Sequence, residues 1–316
     1  VQRMRLGCFA IDGEARLGLA LGEGWVVDAA AAQRRLSEAG LVADGPLTGG
    51  DVRAVIEDWD GPAGEALRAL HQALETTGDT DWLAPGAGVV FAIEEVEMLP
   101  PLGTPRKNVL CLGKNYADHA REMKSERPEY PVVFSKASSS LTGHGSGILR
   151  HRGVTDQLDY EGELAVVVGR RARGVSRKEA MDYIFGYTLI NDVTARDWQR
   201  RHLQWHLGKS FDTFCPMGPF VVPKEDAPPI QEMVLETRVN GELRQRGRLT
   251  DLIFDIPTIL EVISAGITLE PGDVIATGTP AGVGMGFQPP RFLDVGDRIE
   301  ISVNGIGTLR NWVIEG

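Results

Sequence analysis

The first third of the chain alternates apolar and polar residues in short stretches. Met4–Ile11, Ala15–Leu21 and Trp25–Asp28 are predicted strands, separated by the turn pairs Asp12-Gly13 and Glu23-Gly24. Two helical patterns follow, Asp51–Asp58 and Ala63–Thr76. The second sets Ala66, Leu67, Leu70, Ala73 and Leu74 on one side. Gly78 to Gly88 is a polar connection containing Gly and Pro. After Pro100-Pro101-Leu102-Gly103 the pattern changes to longer apolar runs. Strands are predicted at Val109–Leu112, Val132–Phe134, Leu164–Val168, Phe185–Asn191, Phe220–Val222, Leu235–Val239, Val274–Thr277 and Arg298–Val303. Helices are predicted at Asp118–Lys124, Arg177–Tyr183 with Ser176 as N-cap, Ala195–Trp205, and Pro257–Ser264 with Pro257 in the first turn. Asn240-Gly241 and Asn304-Gly305 are further hairpin turns. A boundary near residues 95–105 divides the chain into a small N-terminal α/β domain, 1–100, and a strand-rich domain, 101–316. Strands and helices do not alternate strictly, so the fold class is α+β, mostly β, rather than a Rossmann sheet or a TIM barrel.

One strand pattern carries an anomaly. In Leu158-Asp159-Tyr160-Glu161-Gly162-Glu163-Leu164-Ala165-Val166-Val167-Val168, two carboxylates one residue apart lead into a continuous apolar run. Residues i and i+2 of a strand share a face, so Glu161 and Glu163 repel each other there. A bound divalent cation offsets that repulsion most directly. Asp192, after another apolar run, offers a third acidic oxygen. With no clustered His or Cys, such a set suits Mg²⁺ or Mn²⁺ better than Zn²⁺. The pattern equally fits a solvent-facing E-x-E on an edge strand, and spacing alone does not separate the two.

Composition narrows the function classes. The 316 residues are 42% hydrophobic and 24% charged, as in an ordinary soluble globular protein. A net charge of −11, with no Lys/Arg patch interleaved with aromatics, argues against a nucleic-acid partner. Cys8, Cys111 and Cys215 are far apart and odd in number, which fits neither a disulfide framework nor a zinc knuckle and suits a reducing compartment. No apolar stretch approaches the roughly 20 residues needed to span a bilayer, and the start has no signal-peptide core. A soluble cytoplasmic protein without a membrane partner is expected.

Other motifs differ in strength. Gly282-Val283-Gly284-Met285-Gly286 resembles part of a dinucleotide loop, but Phe287-Gln288-Pro289-Pro290 behind it cannot open the required helix. His119 and Glu122 are i, i+3 neighbours on a predicted helix, a spacing that lets a carboxylate orient an imidazole for general-base work; a surface helix shows the same spacing. Arg196 and Gln199 are also i, i+3 and form a fork suited to a carboxylate. Lys209, in Gly208-Lys209-Ser210-Phe211-Asp212, could donate a proton or stabilise an oxyanion. Thr279, in the small-residue loop Thr277-Gly278-Thr279-Pro280-Ala281-Gly282, could offer its hydroxyl to an anion. A solvated helix and a plain chain turn are the structural alternatives for these last groups.

Taken together, six ordered blocks resemble the fumarylacetoacetate hydrolase family: CLGKNYADHARE (111–122), PVVFSK (131–136), DYEGELAVVV (159–168), GYTLINDVTARDW (186–198), GKSFDTFCPMG (208–218) and PGDVIATGTPAGVG (271–284). A last block, 289–311, closes the domain, so the likeness covers roughly 100–316. The resemblance implies a mixed β-roll with a metal at its mouth, Glu161, Glu163 and Asp192 as ligands of Mg²⁺ or Mn²⁺, and His119 with Glu122 as a water-activating dyad. It further implies that Lys209, Arg196 and Gln199 contact substrate and transition state, that Thr279 binds a carboxylate, and that Met123–Tyr130 forms a lid. The animal fumarylacetoacetases carry an additional metal-binding Asp ahead of the catalytic His, whereas here Val109-Leu110-Cys111-Leu112-Gly113 holds no acid. The chain is therefore more similar to the acylpyruvase-like branch.

The expected activity is metal-dependent hydrolysis of the C–C bond of a 2,4-dioxo acid (an acylpyruvate) to pyruvate and a carboxylic acid. Oxaloacetate decarboxylation and hydration or isomerisation of a 2-oxo-enoic acid are alternatives at the same site. A non-catalytic metal-binding scaffold is the alternative from another class, and it would have no use for His119, Glu122 and Lys209. A homodimer is expected by the same resemblance.

Overall fold

The computed structural model describes residues 3–47, 50–76, 87–123 and 125–316. Among these residues an eleven-stranded sheet runs in the order Val90–Ala92, Trp25–Asp28, Glu14–Leu21, Leu6–Ile11, Phe220–Pro223, Ile184–Asn191, Gly162–Val168, Val274–Ala276, Val109–Gly113 and Val132–Lys136. Glu97–Leu99 joins it beside Leu6–Ile11. Leu6 lies opposite Val221, so strands from the first hundred residues continue the sheet formed by the later ones. A five-stranded sheet, in the order Glu242–Arg248, Val234–Val239, Arg298–Val303, Gly307–Ile314 and Gly147–Leu149, packs across it. The architecture is α+β with strands predominant, and the turn chemistry behaves as the sequence requires. Asp12 and Gly13 have φ of 52° and 80°, and Asn240 and Gly241 have 52° and 81°, the left-handed pairs that a two-residue hairpin needs.

The run Gly162–Val168 is apolar throughout because both its faces are buried. Leu164, Val166 and Val168 join a core with Leu235, Ile299, Ile301 and Leu309 of the second sheet and with Ile259 and Ile263 of the helix Ile256–Ser264. Ala165 and Val167 face the other way, into a core with Leu36, Val52, Ile56, Leu67 and Leu70 of the N-terminal helices. Glu163 shares this second parity, so strand alternation turns its carboxylate away from the second sheet. Gly162 takes the opposite parity, where a Cβ would come within 2.1 Å of Thr237 Oγ1. Only glycine lets the two sheets close at that point.

Several predicted elements shift. Val52–Glu57 and Pro62–Thr76 form as helices where expected. A helix at Ala29–Glu38 was not anticipated, although Asp28 caps it by accepting from Ala31 N at 3.0 Å. Arg177–Tyr183 is not a helix. Only a 3₁₀ turn, Ala180–Tyr183, forms, and Ser176 Oγ donates to the Glu179 carboxylate instead of capping a helix. The helix expected over Ala195–Trp205 stops after Arg201, and a second short one runs His206–Lys209; between them Leu203 takes a left-handed φ of 59° that no helix can pass through. Residues 77–86 of the polar connection and Lys124 of the expected lid lie outside the described residues. No helix of the described residues is long and apolar enough to cross a membrane.

Candidate active site

The edge-strand alternative for Glu161 and Glu163 is overturned by burial: Glu163 lies on the central strand Gly162–Val168, Glu161 immediately precedes it, and both are almost fully enclosed, as is Asp192. One oxygen from each of these three carboxylates lies within 4.8 Å of the others. The backbone builds this cluster. Glu161 N donates to Asn191 Oδ1 at 3.0 Å and Asp192 N donates to Glu161 O at 2.8 Å, which locks the entrance of one strand against the exit of its neighbour.

Buried anions must be paired, and here the pairing is unequal. Lys209 Nζ bridges Glu161 Oε2 at 2.8 Å and Asp192 Oδ2 at 2.6 Å. Lys136 Nζ takes the other oxygen, Asp192 Oδ1, at 2.6 Å and also donates to the carbonyls of Val193 and Lys209. Arg196 spans Asp159 Oδ2 at 2.8 Å and Glu161 Oε1 at 2.7 Å. Glu163 has no cationic partner among these contacts; its Oε2 accepts only Gly278 N, at 2.7 Å.

The electrostatics follow. Burial works to raise Glu161, but the Lys209 ammonium and Arg196 guanidinium outweigh it and hold this carboxyl well below the usual range. Burial and the nearby charges of Asp192 and Glu161 push Glu163 the opposite way, well above its usual range. For Lys209, burial opposes the charge, yet Asp192 and Glu161 prevail and raise it. Lys209 is thus a fixed positive charge rather than a ready proton donor. A divalent cation fits this donor set: the oxygens converge, all are hard ligands, and Glu163, which has no cationic partner, would ionise against such an ion.

Beside the cluster stands the helix Ala117–Glu122. His119 is 6% exposed, and its Nδ1 lies 3.1 Å from Glu122 Oε2. A carboxylate only accepts, so Nδ1 carries the proton and Nε2 is left as the basic nitrogen. Glu122 Oε1 in turn accepts Gly282 N at 2.9 Å. The fork expected from Arg196 and Gln199 forms, with Arg196 Nη1 donating to Gln199 Oε1 at 3.2 Å; Arg196 Nη2 is buried without a hydrogen-bond partner. Thr279 Oγ1 already donates to Gly162 O at 2.9 Å and accepts Gln245 Nε2 at 2.7 Å, so its hydroxyl proton is committed within the fold.

Three residues escaped the sequence reading: Lys136, Asp159 and Gln245. Lys136 and Asp159 sat inside blocks already singled out, PVVFSK and DYEGELAVVV, where a charged residue at the edge of an apolar run was the available signal. Gln245 had none, since its role depends on contact with a loop 34 residues away. The thiols take no part as nucleophiles: burial pushes Cys8 and Cys215 up to about 12 and Cys111 well above its usual value.

Known proteins share this arrangement of chain. The family model described as fumarylacetoacetate (FAA) hydrolase C-terminal matches residues 108–314. The oxaloacetate tautomerase YisK of Bacillus subtilis (strain 168) is 53% identical over 226 residues, covering 71% of this chain and 75% of that protein. The structure of a fumarylacetoacetate hydrolase from the psychrophile Exiguobacterium antarcticum is 40% identical with a TM-score of 0.77, over 99% of this chain and 100% of that one. That of a 5-carboxymethyl-2-hydroxymuconate delta-isomerase from Mycobacterium smegmatis is 33% identical with a TM-score of 0.69, over 99% of both.

Proposed function

Because the chain belongs to the fumarylacetoacetate hydrolase family and is an enzyme of it, we propose that it catalyses proton transfer at C3 of a small 2-oxo acid, with keto–enol tautomerisation of oxaloacetate as its reaction. The 53% identity to an oxaloacetate tautomerase carries the choice of reaction. The site supports it, because tautomerisation needs a base beside an acidified carbon and no attacking water.

Glu161, Glu163 and Asp192 would hold Mg²⁺ or Mn²⁺. The bound cation would draw electron density from the 2-oxo oxygen and acidify C3. His119 Nε2 then removes the C3 proton, while Glu122 holds Nδ1–H and stabilises the imidazolium that forms. Lys209 supplies a permanent positive charge toward the oxygen on which negative charge develops. The imidazolium returns the proton to that oxygen, giving the enol. Arg196, with its partnerless Nη2, and Gln199 would bind the substrate's carboxylate end, whereas the Thr279 hydroxyl, expected there as well, is spent on Gly162 O. Met123–Tyr130 would close over the bound acid, in a protein expected to work as a cytoplasmic homodimer.

A second reading, hydrolysis of an acylpyruvate, is favoured by the 40% identity over the whole chain to a fumarylacetoacetate hydrolase. There His119 takes its proton from water, which attacks the C4 carbonyl, and the C3–C4 bond breaks. One assay separates these readings: Mn²⁺-supplemented protein is given oxaloacetate or acylpyruvates while enol absorbance and released pyruvate are followed. Faster loss of oxaloacetate enol absorbance without pyruvate, silenced by EDTA, is expected. Pyruvate from acylpyruvates alone would install the hydrolase reading, and pyruvate from oxaloacetate would make the protein a decarboxylase.

A further inference from the structure

The glycine-rich stretch Gly282-Val283-Gly284-Met285-Gly286, which fails as a dinucleotide loop, makes contacts of another kind. Three of its backbone amides are spent on two side-chain carboxylates. Gly282 N donates to Glu122 Oε1 at 2.9 Å, while Gly284 N and Met285 N donate to the two oxygens of Asp159 at 2.7 and 3.0 Å. The Tyr160 hydroxyl closes the set by donating to Gly282 O at 2.8 Å. Each carboxylate also binds a site residue: Glu122 Oε2 faces His119, and Asp159 Oδ2 accepts from Arg196, which continues to Glu161, while Asp159 Oδ1 accepts Tyr160 N as well. The loop therefore ties the His119 helix to the carboxylate cluster by hydrogen bonds from its own backbone.

At Gly286 glycine is required by space and not by conformation. A Cβ on Gly286 would lie 2.1 Å from Glu122 Oε1 and 2.6 Å from its Cγ. Gly286 is not at a left-handed φ, so its backbone accepts alanine and the collision falls on the Glu122 side chain. That side chain can yield only by breaking the bonds that both its oxygens make, to His119 and to Gly282 N.

We propose that the Gly282–Gly286 loop is the positioning element of the proton-transfer base: it fixes Glu122, and through Glu122 the tautomer and aim of the His119 imidazole. The loop bonds to Glu122 and Asp159 and not to His119 itself. Its presence over Glu122 lets the dyad stay assembled although it sits on a helix of six residues, too short to hold its own geometry. The inference rests on the proposed role of His119 as the base, and the test keeps the two apart.

Gly286→Ala is compared with the native full-length protein by three measurements. The first is the downfield proton resonance of His119 Nδ1–H, the signature of its bond to a carboxylate. The second is Mn²⁺ affinity, and the third is kcat and KM on oxaloacetate. The expected result is a lost or shifted resonance, Mn²⁺ affinity within about twofold, and kcat lower by about tenfold or more with KM little changed, since ångström-scale misplacement of a base has effects of this size. An unaltered resonance in a folded variant overturns the proposal. If the resonance is lost but native protein shows no oxaloacetate turnover, the positioning stands and the tautomerase reading falls. Should Gly286→Ala not fold, Glu122→Ala carries the test by amide exchange: Gly282 is expected to lose protection, and unchanged protection there overturns the proposal.

Discussion

The carboxylate cluster and the His119 helix adjoin each other but are built on different terms. The cluster hangs on central strands buried on both faces, and Lys209, Lys136 and Arg196 interlock Glu161, Asp192 and Asp159 with no exposed member. The dyad rides on one and a half turns of helix, Glu122 is 17% exposed, and beyond it Ser125–Pro128 has no regular structure. A set of fixed charges needs rigidity, because buried like charges tolerate little displacement. The dyad's short helix instead takes its hold from outside, through the bond from Gly282 N to Glu122. The division of labour follows from where each residue falls in the sheet.

Perturbing the dyad should stop chemistry and spare the scaffold. His119→Ala is expected to lower turnover by about 10²- to 10⁴-fold with Mn²⁺ binding retained, as isothermal titration would read; lost Mn²⁺ binding would place His119 in the cluster instead. Perturbing the cluster should do the reverse and damage folding too. Asp192→Ala strands the fully buried Lys136 ammonium, at a cost of about 3–5 kcal/mol in denaturant unfolding, together with loss of Mn²⁺ affinity. A cost near zero would show that water or Glu163 takes over the pairing.

Smaller effects mark the edges of the comparison. Far from both groups, His144 Nδ1 accepts Arg310 N at 3.1 Å, and burial, with a lesser push from the Arg310 charge, lowers this imidazole to about 4. A depressed histidine stabilises the fold while neutral. Its contribution is complete above the unfolded value near 6.5 and is lost as pH falls through the folded value near 4. His144→Asn should flatten that acid limb by up to about 3 kcal/mol, and an identical limb in the variant would assign the loss to other groups. Under the cluster, Thr237 Oγ1 is buried without a hydrogen-bond partner. Thr237→Val should therefore be neutral or stabilising by up to about 1 kcal/mol; destabilisation would reveal a bound water there.

Much of this site was legible in the chain. Glu161, Glu163 and Asp192 converge as the family resemblance implied, and the i, i+3 spacing of His119 and Glu122 becomes a hydrogen bond, whereas Lys209, read as a substrate contact, is paired with Glu161 and Asp192. Local patterns carry such pairs because helix and strand periods place them. Long-range pairing was not legible. Nothing near Lys136 announces that it will meet Asp192, 56 residues on, and the role of Arg196 as partner of both Asp159 and Glu161 depends on strand order. Arg177–Tyr183 failed as a helix because long-range contacts claim its start: Arg177 N donates to Glu261 Oε1 at 3.0 Å and the Arg177 guanidinium pairs with Asp255, partners about 80 residues away that no local pattern announces.

By itself, the sequence determined the strand periods, the left-handed hairpin turns and the chemical types available: hard oxygen ligands, one imidazole beside a carboxylate, and a Gly-rich loop too irregular for a nucleotide. These are local properties, set by backbone sterics and side-chain chemistry. The tertiary structure decided which charges are shared and which is left over. Glu161 and Glu163 are the same residue type two positions apart, yet one lies between two cations and the other receives a single backbone N–H. Only three-dimensional packing in a low-dielectric interior can separate two such glutamates, because there the energy of a charge is set by its nearest partners rather than by its place in the chain.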